Sequence, residues 1–256
     1  MRILAVGDIV GENGLDKLKE VLSNLKQSKK IDFVIVNGEN VAGGMGITEK
    51  LFKQIIFAGA DVVTLGNHTW AKKDIFKFID DEKILRPANL PKGTVGKGYN
   101  IYNCKNKKIT VINLLGRTNM GVLSENPFLE ADKIINEVKD RSDYIVIDFH
   151  AEATAEKIAF ANYIDGRATV IFGTHTHVQT ADECILKNGT GYITDIGMTG
   201  PIDSVIGMDK KASIKRFVTT LPEKYKLADG ECKFNSCLFI INDENRQIDE
   251  VTRINL

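Results

Sequence analysis

Short apolar runs rich in Val and Ile alternate with segments of helical periodicity in the part of the chain before residue 183. The runs predict strands at residues 3–6, 33–36, 62–65, 109–115, 144–149 and 170–172, and the periodic segments predict helices at residues 15–25, 49–57, 74–79, 130–138 and 154–161. In the first helix Leu15, Leu18 and Leu22 recur at the spacing of one helix face, which places that face against a core. Strands that alternate with helices are typical of an α/β fold with parallel strands.

The pattern changes after residue 183, where short apolar runs are separated by turns. These runs predict strands at residues 183–186, 191–195, 237–241 and 247–251. We expect them to contribute to a second sheet that packs on the first. Residues 200–226 hold few apolar repeats and predict a long loop over another part of the molecule, and loops of that length are usually functional or mobile.

The composition excludes some classes of partner. The chain has 256 residues, with 34 Lys plus Arg against 34 Asp plus Glu, so its formal net charge is zero. A protein that mainly grips nucleic acid or an anionic membrane needs a surplus of positive charge. No apolar stretch approaches the roughly 20 residues that cross a bilayer. We expect one globular domain over residues 1–256.

The start of the chain and the cysteines indicate a cellular compartment. Met1 and Arg2 lead into an apolar run at residues 3–6, which is too short for the core of a secretion signal. The four cysteines have no spacing that suggests a zinc site. We therefore expect a cytoplasmic protein with reduced thiols.

Polar side chains follow the predicted strands at the points where the strands end. Asp8 follows the first strand, Glu39 and Asn40 the second, Asn67 and His68 the third, His150 the fifth, and His175 and His177 the sixth. All four histidines of the protein belong to this set. Because the carboxyl ends of parallel strands meet at one edge of a sheet, we expect these side chains to converge. If His175 and His177 lie in an extended segment, both imidazoles point the same way.

The donor types in this set favour two metal ions over one. Three histidines, two carboxylates and two Asn carbonyls exceed the four ligands of a tetrahedral zinc site. They suit two ions of the iron or manganese type, which accept mixed nitrogen and oxygen ligands. Glu39, near the middle of the edge, is the candidate for a bridging carboxylate. A dinucleotide fingerprint at residues 7–14 is disfavoured, because the glycine spacing differs and Asp8 would repel a pyrophosphate.

Other polar residues near these motifs have two interpretations each. Glu152 and Asp182 either orient a histidine or belong to a helix start or turn. Asp148, inside a predicted strand, is expected to make structural hydrogen bonds. The cations that either contact a substrate phosphate or lie on an ordinary surface are Arg117, Lys215 and Arg216.

The motifs, taken in order, resemble those of a known family. They are Gly7-Asp8, Asn37-Gly38-Glu39-Asn40, Gly66-Asn67-His68, His150 and Gly173-Thr174-His175-Thr176-His177. This order resembles the calcineurin-like metallophosphoesterases, and most closely their YmdB-like branch, bacterial phosphodiesterases that act on cyclic nucleotides. Val10 replaces the His of the usual Asp-x-His motif, and Glu39 replaces the usual bridging Asp. Both departures fit the YmdB-like branch, in which Asn40 would take the coordination place of the missing His.

The resemblance implies a fold and a set of residue roles. The fold would be a sandwich of two mixed sheets flanked by helices, in α/β/β/α layers. One iron or manganese ion would be held by Asp8, Glu39, Asn40 and His177, and the other by Glu39, Asn67, His150 and His175. His68 would be the acid that protonates the leaving oxygen.

These roles lead to a functional hypothesis with open alternatives. We expect hydrolysis of 2',3'-cyclic nucleotides, 3',5'-cyclic nucleotides or both by a metal-bridging hydroxide, with His68 as proton donor. A phosphomonoesterase or phosphoprotein phosphatase would use the same metals. A regulatory or RNA-binding protein would keep the metals for structure alone. The zero net charge favours a small phosphodiester as partner, with no stable nucleic acid complex and no membrane, and leaves homo-oligomerisation open.

Overall fold

The computed structural model describes residues 1–256, which fold into two six-stranded sheets, a third sheet of three short strands, and helices. The strands are β1 (Arg2–Val6), β2 (Asp8–Ile9), β3 (Phe33–Asn37), β4 (Val62–Thr64), β5 (Ile84–Leu85), β6 (Tyr99–Cys104), β7 (Lys107–Leu115), β8 (Tyr144–His150), β9 (Val170–Thr174), β10 (Cys184–Ile185), β11 (Gly191–Ile193), β12 (Met198–Pro201), β13 (Cys232–Lys233), β14 (Asn235–Ile241) and β15 (Ile248–Asn255). The helices are α1 (Gly11–Ser28), α2 (Glu49–Phe57), α3 (Pro127–Val138), α4 (Thr154–Ile164) and α5 (Lys210–Thr219), with a 3₁₀ helix at Lys73–Lys77. None of the helices combines the length and apolarity that crossing a membrane requires.

Three of the helices begin at side chains that cap them, and at the start of α5 the Asp209 carboxylate accepts a hydrogen bond from the backbone N–H of Ala212. The Thr48 hydroxyl accepts a hydrogen bond from the backbone N–H of Leu51 at the start of α2. The Asn126 side chain does the same for Phe128 at the start of α3, where Pro127 occupies the first helical position. Such caps satisfy backbone donors that have no partner within the helix, and proline at that position loses no hydrogen bond.

The first sheet has the strand order β15-β14-β1-β3-β4-β5 and packs on both of its faces. Strands β1, β3, β4 and β5 are parallel, and β14 and β15 are antiparallel to their neighbours. Alternate side chains of β1 point to opposite faces. Leu4 and Val6 lie in a core with Leu18 of α1, whereas Ile3 and Ala5 lie in the core between the sheets. Burial on both faces explains why these strands are continuously apolar.

The second sheet has the strand order β10-β11-β9-β8-β7-β6. Val111 and Val146 on its inner face share the core between the sheets with Ile3 of β1. Ile147 on its outer face packs in a separate core with Phe160 of α4 and with residues of α3. The layers are therefore helix, sheet, sheet and helix, which confirms the predicted α/β/β/α sandwich.

Two details of the predicted organisation are wrong. Residues 200–226, predicted as a loop, contain helix α5, which the pattern missed because no residue of α5 is buried and no apolar stripe meets a core. The helix predicted at residues 74–79 is a short 3₁₀ helix. Of the strands after residue 183, β10 and β11 belong to the second sheet, as expected, and β14 and β15 extend the first.

The ends of the strands position the polar residues. Strands β1, β3 and β4 belong to the first sheet, whereas β8 and β9 belong to the second. The prediction placed all the polar residues at the edge of one parallel sheet. They come instead from two sheets that face each other, and they meet where the ends of both sheets adjoin.

Candidate metal centre

The predicted ligands, which we call the donor cluster, are Asp8, Glu39, Asn40, Asn67, His150, His175 and His177. Four donor atoms, one each from Glu39, Asn67, His150 and His175, lie close together around the Nε2 atom of His150. Its Nε2 atom lies 2.9 Å from Glu39 Oε1 and 2.9 Å from Asn67 Oδ1. The same atom lies 3.0 Å from His175 Nδ1. Two donors that each lie about 2.1 Å from one ion, at a right angle, are about 3.0 Å apart. The structure thus assembles the set that was expected to share one ion.

The other predicted set is assembled less closely. Asp8 Oδ1 and Asn40 Oδ1 are buried, and neither accepts a hydrogen bond. His177 Nε2 lies 3.9 Å from Asp8 Oδ1. A buried carboxylate or amide oxygen without a hydrogen-bond partner lowers the stability of the fold. The two oxygens therefore fit a bound cation.

A chain of hydrogen bonds fixes the imidazole of His150. Its Nδ1 atom lies 2.8 Å from Thr174 Oγ1, and that hydroxyl donates to Asp148 Oδ1 at 2.7 Å. Because the hydroxyl proton goes to the carboxylate, the hydroxyl oxygen accepts the proton of Nδ1–H. This arrangement turns Nε2 toward the other donors and gives Asp148 the structural role that its place in a strand predicted.

The other two histidines of the cluster are oriented by separate acceptors. His175 Nε2 lies 3.0 Å from Glu152 Oε2, and His177 Nδ1 donates to the carbonyl oxygen of Ile206 at 2.9 Å. These contacts leave His175 Nδ1 and His177 Nε2 free to bind a metal. Glu152 therefore contacts a histidine, as one interpretation proposed. Asp182 accepts hydrogen bonds from threonines instead, which matches its interpretation as a turn residue.

The turn that carries two of the histidines is not extended. His175 has a φ of 102° and His177 a φ of 64°, values that side chains other than glycine adopt at a cost. The backbone N–H of His175 donates to Asp8 Oδ2, and that of Thr176 donates to Asp195 Oδ2. The prediction of an extended segment is wrong because these carboxylates draw the backbone into a turn. Both imidazoles still reach the site, but they contact different donors.

A buried ion pair behind this turn was missed in the sequence. Lys157 Nζ of α4 lies 2.6 Å from Asp195 Oδ2 and donates to the carbonyl oxygen of Thr174 at 2.8 Å. Both charged side chains are 1% exposed. The available signal was the position of Lys157 on the same helix face as Phe160 and Ala161, which are buried.

The charges of the cluster are strongly coupled. Burial opposes a charge on Glu39, but the charge and hydrogen bond of His150 lower the pKa of Glu39 to about 2. Burial also opposes a charge on His150, but Glu39 raises the pKa of His150 to about 9. Burial and then the charge of His150 lower the pKa of His175 to about 3. In the metal-free protein the proton of this group therefore lies on His150.

Gly66 and His68 complete the surroundings of Glu39. A Cβ atom at Gly66 would lie 2.3 Å from His150 Cδ2 and 2.5 Å from Glu39 Oε2, so only glycine fits there. The backbone N–H of His68 donates to Glu39 Oε2 at 2.9 Å. The ring of His68 lines the open side of the site, with its Nε2 atom 3.4 Å from Asn67 Nδ2. His68 thus lies beside the donor cluster while its ring lines the cavity.

A cavity of roughly 340 Å³ opens over the donor cluster. Its floor consists of Glu39, Asn40, His68, Glu152, His175, Thr176 and His177. Its other wall, which we call the roof, consists of Val205, Ile206, Met208, Ser213, Arg216, Phe217 and Tyr225. The segment predicted to lie over another part of the molecule therefore covers the site. Of the candidate cations, Arg216 lines the cavity and Lys215 pairs with Glu223 outside it, and Arg117 does not line it.

Comparisons with known proteins agree with the motifs. The profile of the YmdB-like protein family matches residues 4–254. The chain is 51% identical over 255 residues to the 2',3'-cyclic-nucleotide 2'-phosphodiesterase of Bacillus subtilis strain 168, a match that covers 99% of this chain and 96% of the relative. A phosphatase of Mycoplasma pneumoniae superposes with a TM-score of 0.95 at 35% identity, over 100% of this chain and 93% of the other. A protein of Thermus thermophilus superposes with a TM-score of 0.94 at 36% identity, over 100% of this chain and 99% of the other. These matches confirm the resemblance, and the chain belongs to the YmdB-like family.

Proposed function

We propose that this protein is a metal-dependent phosphodiesterase that hydrolyses 2',3'-cyclic nucleotides. The observation that carries the proposal is the convergence of Glu39, Asn67 and His175 on His150 Nε2, at separations of 2.9 to 3.0 Å. The Bacillus relative, whose name states this activity, supports the substrate class.

The donor cluster would hold two ions of iron or manganese, because its mixture of imidazole, carboxylate and amide oxygen suits those metals. Glu39 would serve both ions. Asp8, Asn40 and His177 would complete one site, and Asn67, His150 and His175 the other. When bound, the ions supply charge neutralisation at the phosphate oxygens and a lowered pKa for the attacking water.

His68 would supply the proton that the leaving oxygen needs. Water adds to phosphorus and releases a proton, the bond between phosphorus and the 2'-oxygen breaks, and His68 gives a proton to that oxygen. A nucleoside 3'-monophosphate results, and the proton released by water balances the one that His68 gives up. An alkoxide of ribose is a poor leaving group. General-acid assistance of this kind typically contributes about a hundred- to ten-thousandfold in rate.

A substrate panel tests the proposal. Purified protein loaded with iron or manganese would be assayed with 2',3'-cyclic nucleotides, 3',5'-cyclic nucleotides, nucleoside monophosphates and phosphopeptides. We expect the highest kcat/KM with 2',3'-cyclic nucleotides and a 3'-monophosphate as product. Faster hydrolysis of the monoesters would favour the phosphatase alternative. Hydrolysis of none of them would reject the enzymatic function.

A further inference from the structure

The cavity over the donor cluster has two chemically different walls. Every side chain of its floor is polar, whereas the roof carries Val205, Ile206, Met208, Phe217 and Tyr225. The polar floor suits a phosphate group. The apolar roof therefore indicates a second, uncharged part of the ligand that the proposed function leaves unassigned.

Helix α5 turns one face toward this cavity. Ser213, Arg216 and Phe217 recur at spacings of three and four residues, which places them on the same side of the helix, and all three line the cavity. No residue of α5 is buried, and Phe217 is 78% exposed. Phe217 thus contributes nothing to a core, and its ring is free to contact a ligand.

Tyr225 packs closely against the glycine turn that follows β3. Gly44 has a φ of 87°, and a Cβ atom there would lie 2.8 Å from Tyr225 Cε1. The backbone N–H of Asp209 donates to the carbonyl oxygen of Lys226 at 2.9 Å, which ties together the two ends of the segment that carries α5. Phe217 and Tyr225 therefore come from one closed segment and line the same cavity.

Arg216 is the single Lys or Arg residue that lines the cavity. Three other arginines form ion pairs with carboxylates, whereas Arg216 forms none. An unpaired guanidinium in such a place suits an anionic ligand.

We propose that Phe217 and Tyr225 form a nucleobase-binding wall and that Arg216 faces the phosphodiester. This inference rests on the proposed function and deepens it, because it makes the substrate a base-bearing cyclic phosphate rather than any small diester. Aromatic side chains stack on the π-face that every base presents, so the wall accepts different bases. The wall is a specificity determinant and takes no part in the chemical step.

The test compares two substrates that differ only in the base. They are adenosine 2',3'-cyclic phosphate and the 2,3-cyclic phosphate of methyl β-D-ribofuranoside. Phe217→Ala should lower kcat/KM for the nucleotide about 5- to 150-fold, mainly through KM, and leave the base-free substrate unchanged. Phe217→Trp should retain the wild-type value. Phe57→Ala is the matched control, since Phe57 ends α2, is 94% exposed and lies outside the cavity.

The outcomes separate this inference from the proposed function. If the wild-type protein hydrolyses both substrates with equal kcat/KM, or if Phe217→Ala affects both equally, the nucleobase wall is refuted while the phosphodiesterase function stands. If the wild-type protein hydrolyses neither substrate, both proposals fail. The melting temperature of Phe217→Ala should match that of the wild type, because the ring contacts no core.

Discussion

Glu39 and His150 in the donor cluster are at most 1% exposed, whereas Phe217 in the roof is 78% exposed. In each imidazole of the cluster, the ring nitrogen that points away from the other donors lies beside a hydrogen-bond acceptor. For His150 that acceptor is the hydroxyl of Thr174. Helix α5 of the roof has no buried residue. The comparison indicates that the proposed metal ligands are preorganised by a buried network, while the proposed nucleobase wall is left open to solvent. Substitutions in the two regions should therefore fail in different ways.

The largest effect is expected from Glu39→Gln, which removes the carboxylate shared by the two predicted ion sites. The substitution removes several kcal/mol of charge stabilisation, so we expect kcat to fall about ten-thousandfold. Metal content per chain, measured by elemental analysis, should fall with it. Glu152→Gln is the control variant for both measurements, because the Glu152 carboxylate contacts only Nε2 of His175, the ring nitrogen that points away from the other donors. Full activity of Glu39→Gln would break the assignment of the cluster.

His68→Ala should lose about a hundred- to ten-thousandfold in kcat while retaining its metal. The loss should be smaller with bis(4-nitrophenyl) phosphate, whose leaving group needs no proton. The prediction is checked by the metal content per chain and by kcat with a 2',3'-cyclic nucleotide and with bis(4-nitrophenyl) phosphate. If the variant loses its metal, His68 is a ligand rather than an acid.

Thr174→Val tests whether the hydrogen-bond chain behind the donor cluster orients His150. It removes the hydroxyl that links His150 to Asp148 and should weaken metal binding by about 10- to 100-fold. Thr190→Val is the matched control, because Thr190 is also buried but its hydroxyl donates to the carbonyl oxygen of Ala168 away from the site. Equal metal affinity in both variants would show that the hydrogen-bond chain does not orient His150.

The smallest single step expected is the change in metal affinity over one pH unit. With its pKa raised to about 9, His150 is protonated in the metal-free protein at neutral pH, and a metal ion at Nε2 displaces that proton. Glu39, with its pKa lowered to about 2, is already ionised. Affinity for Mn²⁺ should therefore rise about tenfold per pH unit up to about pH 9 and then level off. Glu39→Gln, which removes the cause of the raised pKa, should level off at a lower pH.

The sequence predicts the fold well where burial enforces a pattern. Strands such as β1 and β8 are buried on both faces and read as continuous apolar runs. Helix α5 has no buried face, so periodicity gave no signal for it. The division of the later strands between two sheets depends on long-range pairing, such as β14 with β1, which local patterns do not encode.

The candidate site was predicted from residue types at strand ends, and the structure brings Glu39, Asn67, His150 and His175 together. The helix position of Lys157 signalled its burial, but its partner Asp195 could not be foreseen, because the two residues lie 38 positions apart in the chain. Of the roof, only Arg216 was named as a candidate substrate contact, and the apolar residues were missed because they carry no metal-binding chemistry. The roles of the ligands, the cellular location and the single-domain organisation stay predictions.

The most direct test of the account is the activity of chelated and remetallated protein with a 2',3'-cyclic nucleotide. Removal of metal should abolish hydrolysis, and Fe²⁺ or Mn²⁺ should restore it in proportion to the metal bound, with full activity at about two ions per chain. Hydrolysis that continues at the original rate in protein shown by elemental analysis to be metal-free would contradict the central claim.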